Sequence, residues 1–81
     1  MQYFILAPGD DEQSAYYDTN LLGEDNGFGV FWAGQGLKTL MRFVETDPEK
    51  LEVLTIKSDR GESLTVGEFL ERIEKLKVRI N

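Results

Sequence analysis

Carboxylates are the most numerous residues of this chain that could support chemistry or binding. Its 81 residues contain no cysteine and no histidine, so the thiolate nucleophile, the commonest general base and the soft metal ligands are missing. The serines Ser14, Ser58 and Ser63 lie in polar turn or cap contexts, without a base near them in the sequence. Pairs of acids can hydrolyse glycosides, but that chemistry needs a substrate cleft, which a chain of this size rarely forms. We therefore predict that the protein is not an enzyme.

The acids do not have the spacing of a calcium-binding loop. Asp18 and Asn20 would be ligands one and three and Gly23 would occupy position six, but Leu22 and Gly29 lie where oxygen ligands are required. A looser group of surface acids could hold Mg²⁺ or Ca²⁺ weakly, although adjacent surface acids are usually hydrated. We predict no metal site and no cofactor.

A glycine pair between a strand and a helix invites comparison with phosphate-binding loops. Gly34 and Gly36 precede an apolar helical pattern, and backbone N–H groups at a helix start can hold an anion. A dinucleotide-binding fingerprint would need glycine at Thr39, and a Walker A loop beginning at Gly29 would need lysine at Gln35. The glycines therefore predict a tight strand-to-helix connection.

The charge of the chain is distributed unevenly. Residues 1–37 contain no lysine or arginine, and the remaining residues carry equal numbers of acids and bases, so the net charge of −6 arises in the first half. The acids of this half are Asp10, Asp11, Glu12, Asp18, Glu24 and Asp25. Such a field repels phosphates and attracts basic surfaces. We expect a protein partner with a basic surface and no direct binding to nucleic acid or membranes; the alternative is that the acids only maintain solubility.

The N-terminal residues predict a buried strand rather than a targeting segment. Residues 3–7 are apolar on both faces of a strand, and Pro8 and Gly9 end the run. The run lacks the basic residues and the length of a signal peptide. No apolar run approaches the roughly 20 residues that cross a bilayer. With cysteine absent as well, we predict a cytoplasmic protein.

A β-hairpin is predicted near residues 16–33. Residues 16–22 have the aromatic and aliphatic content of an incoming strand. Asn26 and Gly27 favour a type I′ turn, which needs positive φ at both positions. Residues 28–33 are the predicted outgoing strand. Because successive side chains of a strand point to opposite faces, one face of this strand carries Phe28, Val30 and Trp32.

Helical spacing appears twice in the second half. Leu37, Leu40, Met41 and Val44 follow the i, i+3, i+4, i+7 pattern and predict a helix at about 37–45. A second helix is predicted at about 66–79, because Thr65 and Glu68 match a capping box and apolar residues continue on one helical side. Those residues are Val66, Phe69, Leu70, Ile73, Leu76 and Ile80.

The order of elements predicts an α+β fold. A β-branched run predicts a strand at residues 51–57, which could join residues 28–33 through one right-handed crossover with parallel strands. We predict a small sheet of three to four strands with the two helices packed on one face. A chain of this length makes a single domain over residues 1–81.

Aromatic residues and acids are concentrated in the same segment. Five of the nine aromatic residues lie between Tyr16 and Trp32. Aromatic anchors surrounded by charge are typical of protein-binding hot spots. We predict that this half docks on the basic surface of a partner such as a nuclease, as an inhibitor or immunity-type protein does. The predicted docking residues are Asp10, Asp11, Glu12, Tyr16, Tyr17, Asp18, Glu24 and Asp25.

Two other kinds of function fit the sequence. One is an oligomeric domain that binds or sequesters a small molecule in a pocket lined by Trp32, Phe31 and Tyr16 or Tyr17. The other is an accessory domain that forms a homodimer through a strand edge or through apolar residues left over from the core. Changing Asp10, Asp11 and Glu12 to lysine should abolish docking on a basic partner and leave self-association largely intact.

Overall fold

Two helices pack on one face of a six-stranded mixed sheet in the part of the chain that the structure describes. The structure is a computed structural model that describes residues 1–11, 13 and 18–80. The strands are β1 Gln2–Leu6, β2 Leu21–Asp25, β3 Val30–Ala33, β4 Thr55–Ser58, β5 Ser63–Leu64 and β6 Lys77–Ile80. The helices are α1 Gln35–Thr46 and α2 Val66–Glu74, with short 3-10 helices at Asp18–Asn20 and Pro48–Val53. The strand order is β5-β4-β1-β2-β3-β6.

The main core lies between the sheet and the two helices. Tyr3 of β1 and Phe31 of β3 face Phe69 of α2, and the three ring centroids lie 5.3 to 6.2 Å apart. Leu40 of α1 and Ile73 of α2 belong to the same buried cluster. Both helices therefore cover the same face of the sheet, as the sequence predicts, and the fold is of the α+β class.

Strand β1 is buried on both of its faces. Tyr3 and Ile5 belong to the main core, while Phe4 and Leu6 form a second buried cluster against Leu21 on the other side. This far face is the side of the sheet away from α1 and α2. β1 also lies between β4 and β2 in the interior of the sheet, and its burial on both faces confirms the prediction of a buried N-terminal strand.

A β-bulge brings β2 into contact with the core. Tyr3 pairs with Gly23 and Phe4 pairs with Leu21, so Leu22 is the additional residue and is fully buried. Gly23 has φ +148°, and a Cβ atom there would lie 2.5 Å from Cζ of Phe31. Only glycine accommodates both this conformation and this contact.

The predicted sheet is too small because two strands, β5 and β6, were not predicted. β6 was missed because the last helix was predicted to be too long. Helix α2 ends at Glu74, and Lys77–Ile80, predicted as its final turn, forms the edge strand β6. β6 pairs in parallel with β3, and the N–H of Lys77 donates to the carbonyl of Gly29. The physical reason is that β6 satisfies backbone groups of β3 that would otherwise lie on an open edge.

The predicted parallel crossover is also wrong. Residues 51–57 were expected to form a strand beside residues 28–33, but Pro48–Val53 is a 3-10 helix and β4 begins only at Thr55. β4 pairs antiparallel with β1 and with β5. Strand β3 already has β2 and β6 as its two neighbours, so no position beside it remains for β4.

The start of α2 is a complete capping box, as predicted. Oγ1 of Thr65 accepts a hydrogen bond from the N–H of Glu68 at 3.1 Å, and Oε1 of Glu68 accepts one from the N–H of Thr65 at 3.2 Å. These two bonds satisfy N–H groups that have no partner within the helix.

The Thr65→Ala variant should lose about 1 kcal/mol of unfolding free energy, because the cap hydrogen bond to the helix start disappears. Urea denaturation followed by circular dichroism measures the change. Thr39→Ala, on the exposed side of α1, is the control and should change stability by a few tenths of a kcal/mol in the stabilising direction. Equal effects of the two substitutions would contradict the importance of the cap.

None of the helices in the described residues is both long enough and apolar enough to cross a lipid bilayer.

Candidate protein interaction site

Four of the acids predicted to bind a partner have side chains within the described part of the chain, and they lie at the two opposite ends of β1. Glu24 pairs with Gln2 at the start of β1, whereas Asp10 and Asp11 follow the end of that strand. The whole length of β1, at roughly 3.3 Å per residue, separates the two groups. Glu24 and Asp25 thus lie at one end of β1, and Asp10 and Asp11 at the other. Glu24 and Asp25 also point to opposite faces of the sheet, because they pair with Trp32 and Phe31 respectively.

Three of the predicted docking residues cannot be assigned to either end of β1. Glu12, Tyr16 and Tyr17 lie outside the described residues, as does the side chain of Asp18. The predicted incoming strand at residues 16–22 falls partly in this segment. In the described part, β2 begins only at Leu21, after a 3-10 helix at Asp18–Asn20.

Two of the acids hold turns. A carboxylate oxygen of Asp10 accepts a hydrogen bond from the N–H of Ala7 at 2.8 Å, and Oδ1 of Asp25 accepts one from the N–H of Gly27 at 2.8 Å. Each carboxylate keeps further lone pairs for a partner, because an ionised carboxylate offers about four acceptor sites. These two residues therefore have a local structural role, while Glu24 projects from β2 as an exposed side chain.

The loop between β2 and β3 differs from the predicted type I′ turn. Asn26 does not adopt positive φ, whereas Gly27 and Gly29 do. Instead, Oδ1 of Asn26 accepts hydrogen bonds from the N–H groups of Phe28 and Val30, at 2.8 and 3.2 Å. The side chain of Asn26 thus closes a longer loop from within. The predicted hairpin is present, but its turn spans residues 26–29 rather than two residues.

Exposed aromatic side chains lie on this loop and on the strand that follows it. Phe28, at the loop, is 90% exposed, and Trp32 of β3 is 41% exposed. Trp32 pairs directly with Glu24 across the two strands, which places their side chains next to each other on the far face. Glu24, Asp25, Phe28 and Trp32 are called the hairpin surface below.

The aromatic pocket considered from the sequence is not formed by Phe31 and Trp32. Phe31 is fully buried in the core beneath the helices, and Trp32 lies on the far face, because successive residues of a strand point to opposite sides. An apolar groove of about 580 Å³ lies instead between α1 and β6. Its lining residues are Leu21, Ala33, Gly34, Gln35, Leu37, Lys38, Met41, Val78 and Ile80.

Sequence reasoning missed this groove because residues 77–80 were read as helix. The signal that could have revealed it is the period-two alternation of Lys77, Val78, Arg79 and Ile80, in which bases and β-branched residues alternate.

A partly buried ion pair joins α2 to the residue before β5, the edge strand at the other end of the strand order from β6. Arg72 donates to both carboxylate oxygens of Glu62, at 2.9 and 3.2 Å, and to the hydroxyl oxygen of Tyr3 at 3.3 Å. The hydrogen bonds from Arg72 hold the pKa of Glu62 below its ordinary value of 4.5. The same bonds raise the pKa of Arg72, so the guanidinium stays charged.

Because the pKa of Glu62 is lower in the folded state, its pairing stabilises the protein above about pH 4.5, and this contribution is lost as pH falls through the lower folded-state pKa. We expect the Glu62→Gln variant to show a smaller decline of unfolding free energy between neutral pH and pH 3 than the unmodified protein. Urea denaturation at several pH values tests this. Glu71→Gln, an exposed substitution on α2, is the control; an equal flattening in that variant would contradict the role of the ion pair.

Among the described residues, no group of three or more Asp or Glu side chains is arranged to hold a metal ion. Comparison with protein-family models, curated proteins and solved structures finds no match for this chain.

Proposed function

We propose that this protein is a small acidic protein-binding module that docks through the hairpin surface on a partner protein with a basic surface. The observation that carries the proposal is the 90% exposure of Phe28 in a hairpin that also bears the exposed carboxylate of Glu24. Exposed large aromatic residues with a charged surround have the composition of interface hot spots. A solubilising role would explain the acids but gives no reason for an aromatic ring held out in solvent.

The loop geometry supports recognition by a preformed surface. The three hydrogen bonds that Asp25 and Asn26 accept fix the backbone on both sides of Phe28. An ordered loop loses less conformational entropy when it binds, so more of the contact energy appears as affinity. Phe28 would then act as the anchor, with Trp32 extending the apolar contact along β3.

The charge of the chain supports a basic partner. The hairpin surface belongs to the first half, which contains acids and no lysine or arginine. Carboxylates steer a basic surface into contact and discourage acidic partners. On a nucleic-acid enzyme such as a nuclease, they would occupy the positions of phosphates and block access, which is the mechanism of an inhibitor or immunity-type protein.

The first test is affinity purification of the tagged protein from its native cell after nuclease treatment, with identification by mass spectrometry and release by salt. The purified partner is then titrated with variants. We expect Phe28→Ala to bind about 30-fold more weakly, as hot-spot residues do. Glu24→Lys should also weaken binding, and the loss of affinity should be larger at low salt than at high salt, because salt screens the charge.

Two matched variants control for changes unrelated to the hairpin surface. Val53→Ala truncates another exposed apolar residue, and Glu71→Lys reverses another exposed acid. Both should bind as the unmodified protein does. A partner that is acidic, or one that binds Phe28→Ala and Val53→Ala equally well, would overturn the proposal.

A further inference from the structure

Strand β6 presents an unpaired backbone edge in the described part of the chain. It is the last strand in the sheet order, and all four of its residues are exposed. The N–H of Lys77 points inward to the carbonyl of Gly29. Because backbone groups alternate along a strand, Val78 and Ile80 direct their N–H and C=O groups outward. These groups can accept a further strand.

The side chains of β6 divide by chemistry between the two sides of the sheet. Val78 pairs with Phe31 and Ile80 pairs with Ala33, so the two apolar side chains lie on the helix side. Lys77 and Arg79 pair with Val30 and Trp32 and therefore lie on the far face. Residues 75–80 include three bases and no acid, so the edge is locally basic although the protein is acidic.

The groove lies directly beside the apolar side of this edge. Val78 and Ile80 form one wall, and Leu37 and Met41 of α1 form the other. The strip is uncovered because α2 ends at Glu74, before the chain reaches β6, and its apolar residues Val66, Phe69 and Ile73 are buried in the core. Lys38 adds a further base to the lining.

We infer that β6 and the groove bind an extended segment of another protein in which acidic and apolar residues alternate. Such a segment would add a seventh strand through the outward groups of Val78 and Ile80. Its acids would lie opposite Lys77 and Arg79, and its apolar side chains would enter the groove. This site shares no residue with the hairpin surface, although Arg79 lies beside Trp32 on the far face, and it goes beyond the function proposed above.

Charge complementarity favours this segment over a second copy of the chain. If two β6 strands paired antiparallel with Val78 opposite Val78, Lys77 would lie opposite Arg79 of the other copy. With Val78 opposite Ile80, the two Arg79 residues would lie opposite each other. Like charges directly opposite are destabilising. In the alternative registers, Val78 would lie opposite Arg79, and an apolar residue would face a charge. An acidic-apolar strand satisfies both sides of β6 at once.

The probe for this site is a capped hexapeptide of alternating Glu and Val, with an alternating Lys and Val hexapeptide as the matched control, at neutral pH. We expect the Glu peptide to bind at least about tenfold more tightly than the Lys peptide, since two cross-strand charge pairs change sign. In hydrogen-exchange NMR, the amides of Val78 and Ile80 should exchange at least about tenfold more slowly with the Glu peptide bound.

The double variant K77E/R79E reverses the charge at two exposed positions. It should bind the Lys peptide more tightly than the Glu peptide, and this binding also shows that the variant is folded. Equal binding of both peptides, binding that leaves the amides of Val78 and Ile80 unchanged, or no binding at millimolar concentration would overturn the inference. Without peptide, these amides should exchange at the same rate at every protein concentration. If their exchange slows as the protein concentration rises, the edge binds a second copy of the chain, and the inference is overturned as well.

Discussion

The Gly23→Ala variant is expected to lose about 4 kcal/mol of unfolding free energy, because a methyl group adds both strain and overlap. The backbone at Gly23 has φ +148°, a conformation that residues with a side chain rarely adopt. A Cβ atom would also overlap the backbone carbonyl of Trp32 and the ring of Phe31. A domain of this size has a total stability of about 4 to 12 kcal/mol. Urea denaturation should therefore show an unfolding midpoint at a much lower urea concentration than that of the unmodified protein.

Gly27→Ala separates the two causes. Gly27 also has positive φ, at +80°, but no heavy atom lies within 4 Å of the position of its Cβ. This variant should lose only about 1 to 2 kcal/mol, the cost of placing an L-residue in the left-handed region. Equal destabilisation of both variants would show that overlap with Phe31 adds nothing to the loss of stability. It would contradict the close approach of Gly23 to that ring.

The Phe69→Ala variant is expected to lose about 3 to 5 kcal/mol, since it leaves a cavity among rings that are fully buried. Phe69 contacts both Tyr3 and Phe31, with ring centroids 5.3 and 5.8 Å away, and so joins α2 to the first and third strands. Thermal unfolding followed by near-ultraviolet circular dichroism reports both the loss of stability and the loss of tyrosine packing.

Phe28→Ala is the matched control for this truncation and should change stability by less than about 0.5 kcal/mol, because the ring is 90% exposed. The two phenylalanines thus predict opposite phenotypes: Phe69 supports the fold and Phe28 supports binding. A strongly destabilised Phe28→Ala variant would show that the ring packs on the protein and would remove the anchor on which the proposed function rests.

Local signals in the sequence predict most of the helical structure correctly. The capping box of Thr65 and Glu68 marks the start of α2, and the apolar spacing after Gly36 predicts α1 within two residues of its observed bounds. These signals are local, because a helix forms its hydrogen bonds within itself. The end of α2 was missed because Leu76 and Ile80 fit a helical spacing while Val78 and Ile80 fit a strand spacing. The pairing with β3, which no local pattern contains, selects the strand.

The candidate site was only partly predictable for the same reason. Alternation correctly placed Trp32 and Phe31 on opposite faces of the sheet, but β3 begins only at Val30, so Phe28, predicted on the face of Trp32, lies in the loop. The acids near the aromatic residues were evident in the sequence. The separation of Asp10 from Glu24 depends on the antiparallel register of β1 and β2, which composition does not specify. The groove depends on the parallel pairing of β6, so it could not be predicted without the topology of the sheet.

The parallel pairing of β3 with β6 also has a kinetic consequence. β3 ends at Ala33, but its outer neighbour begins only at Lys77, after both helices and two other strands have been made. Closing so long a loop is entropically costly and slows the formation of such contacts. β1 and β4 pair across an even longer separation, Tyr3 with Ser58, but β6 lies at an edge of the sheet with all four residues exposed. We therefore expect β6 to be the strand that leaves the sheet first. When it leaves, the edge of β3 becomes the margin of the sheet, and the binding surfaces on β6 disappear while the aromatic core remains assembled.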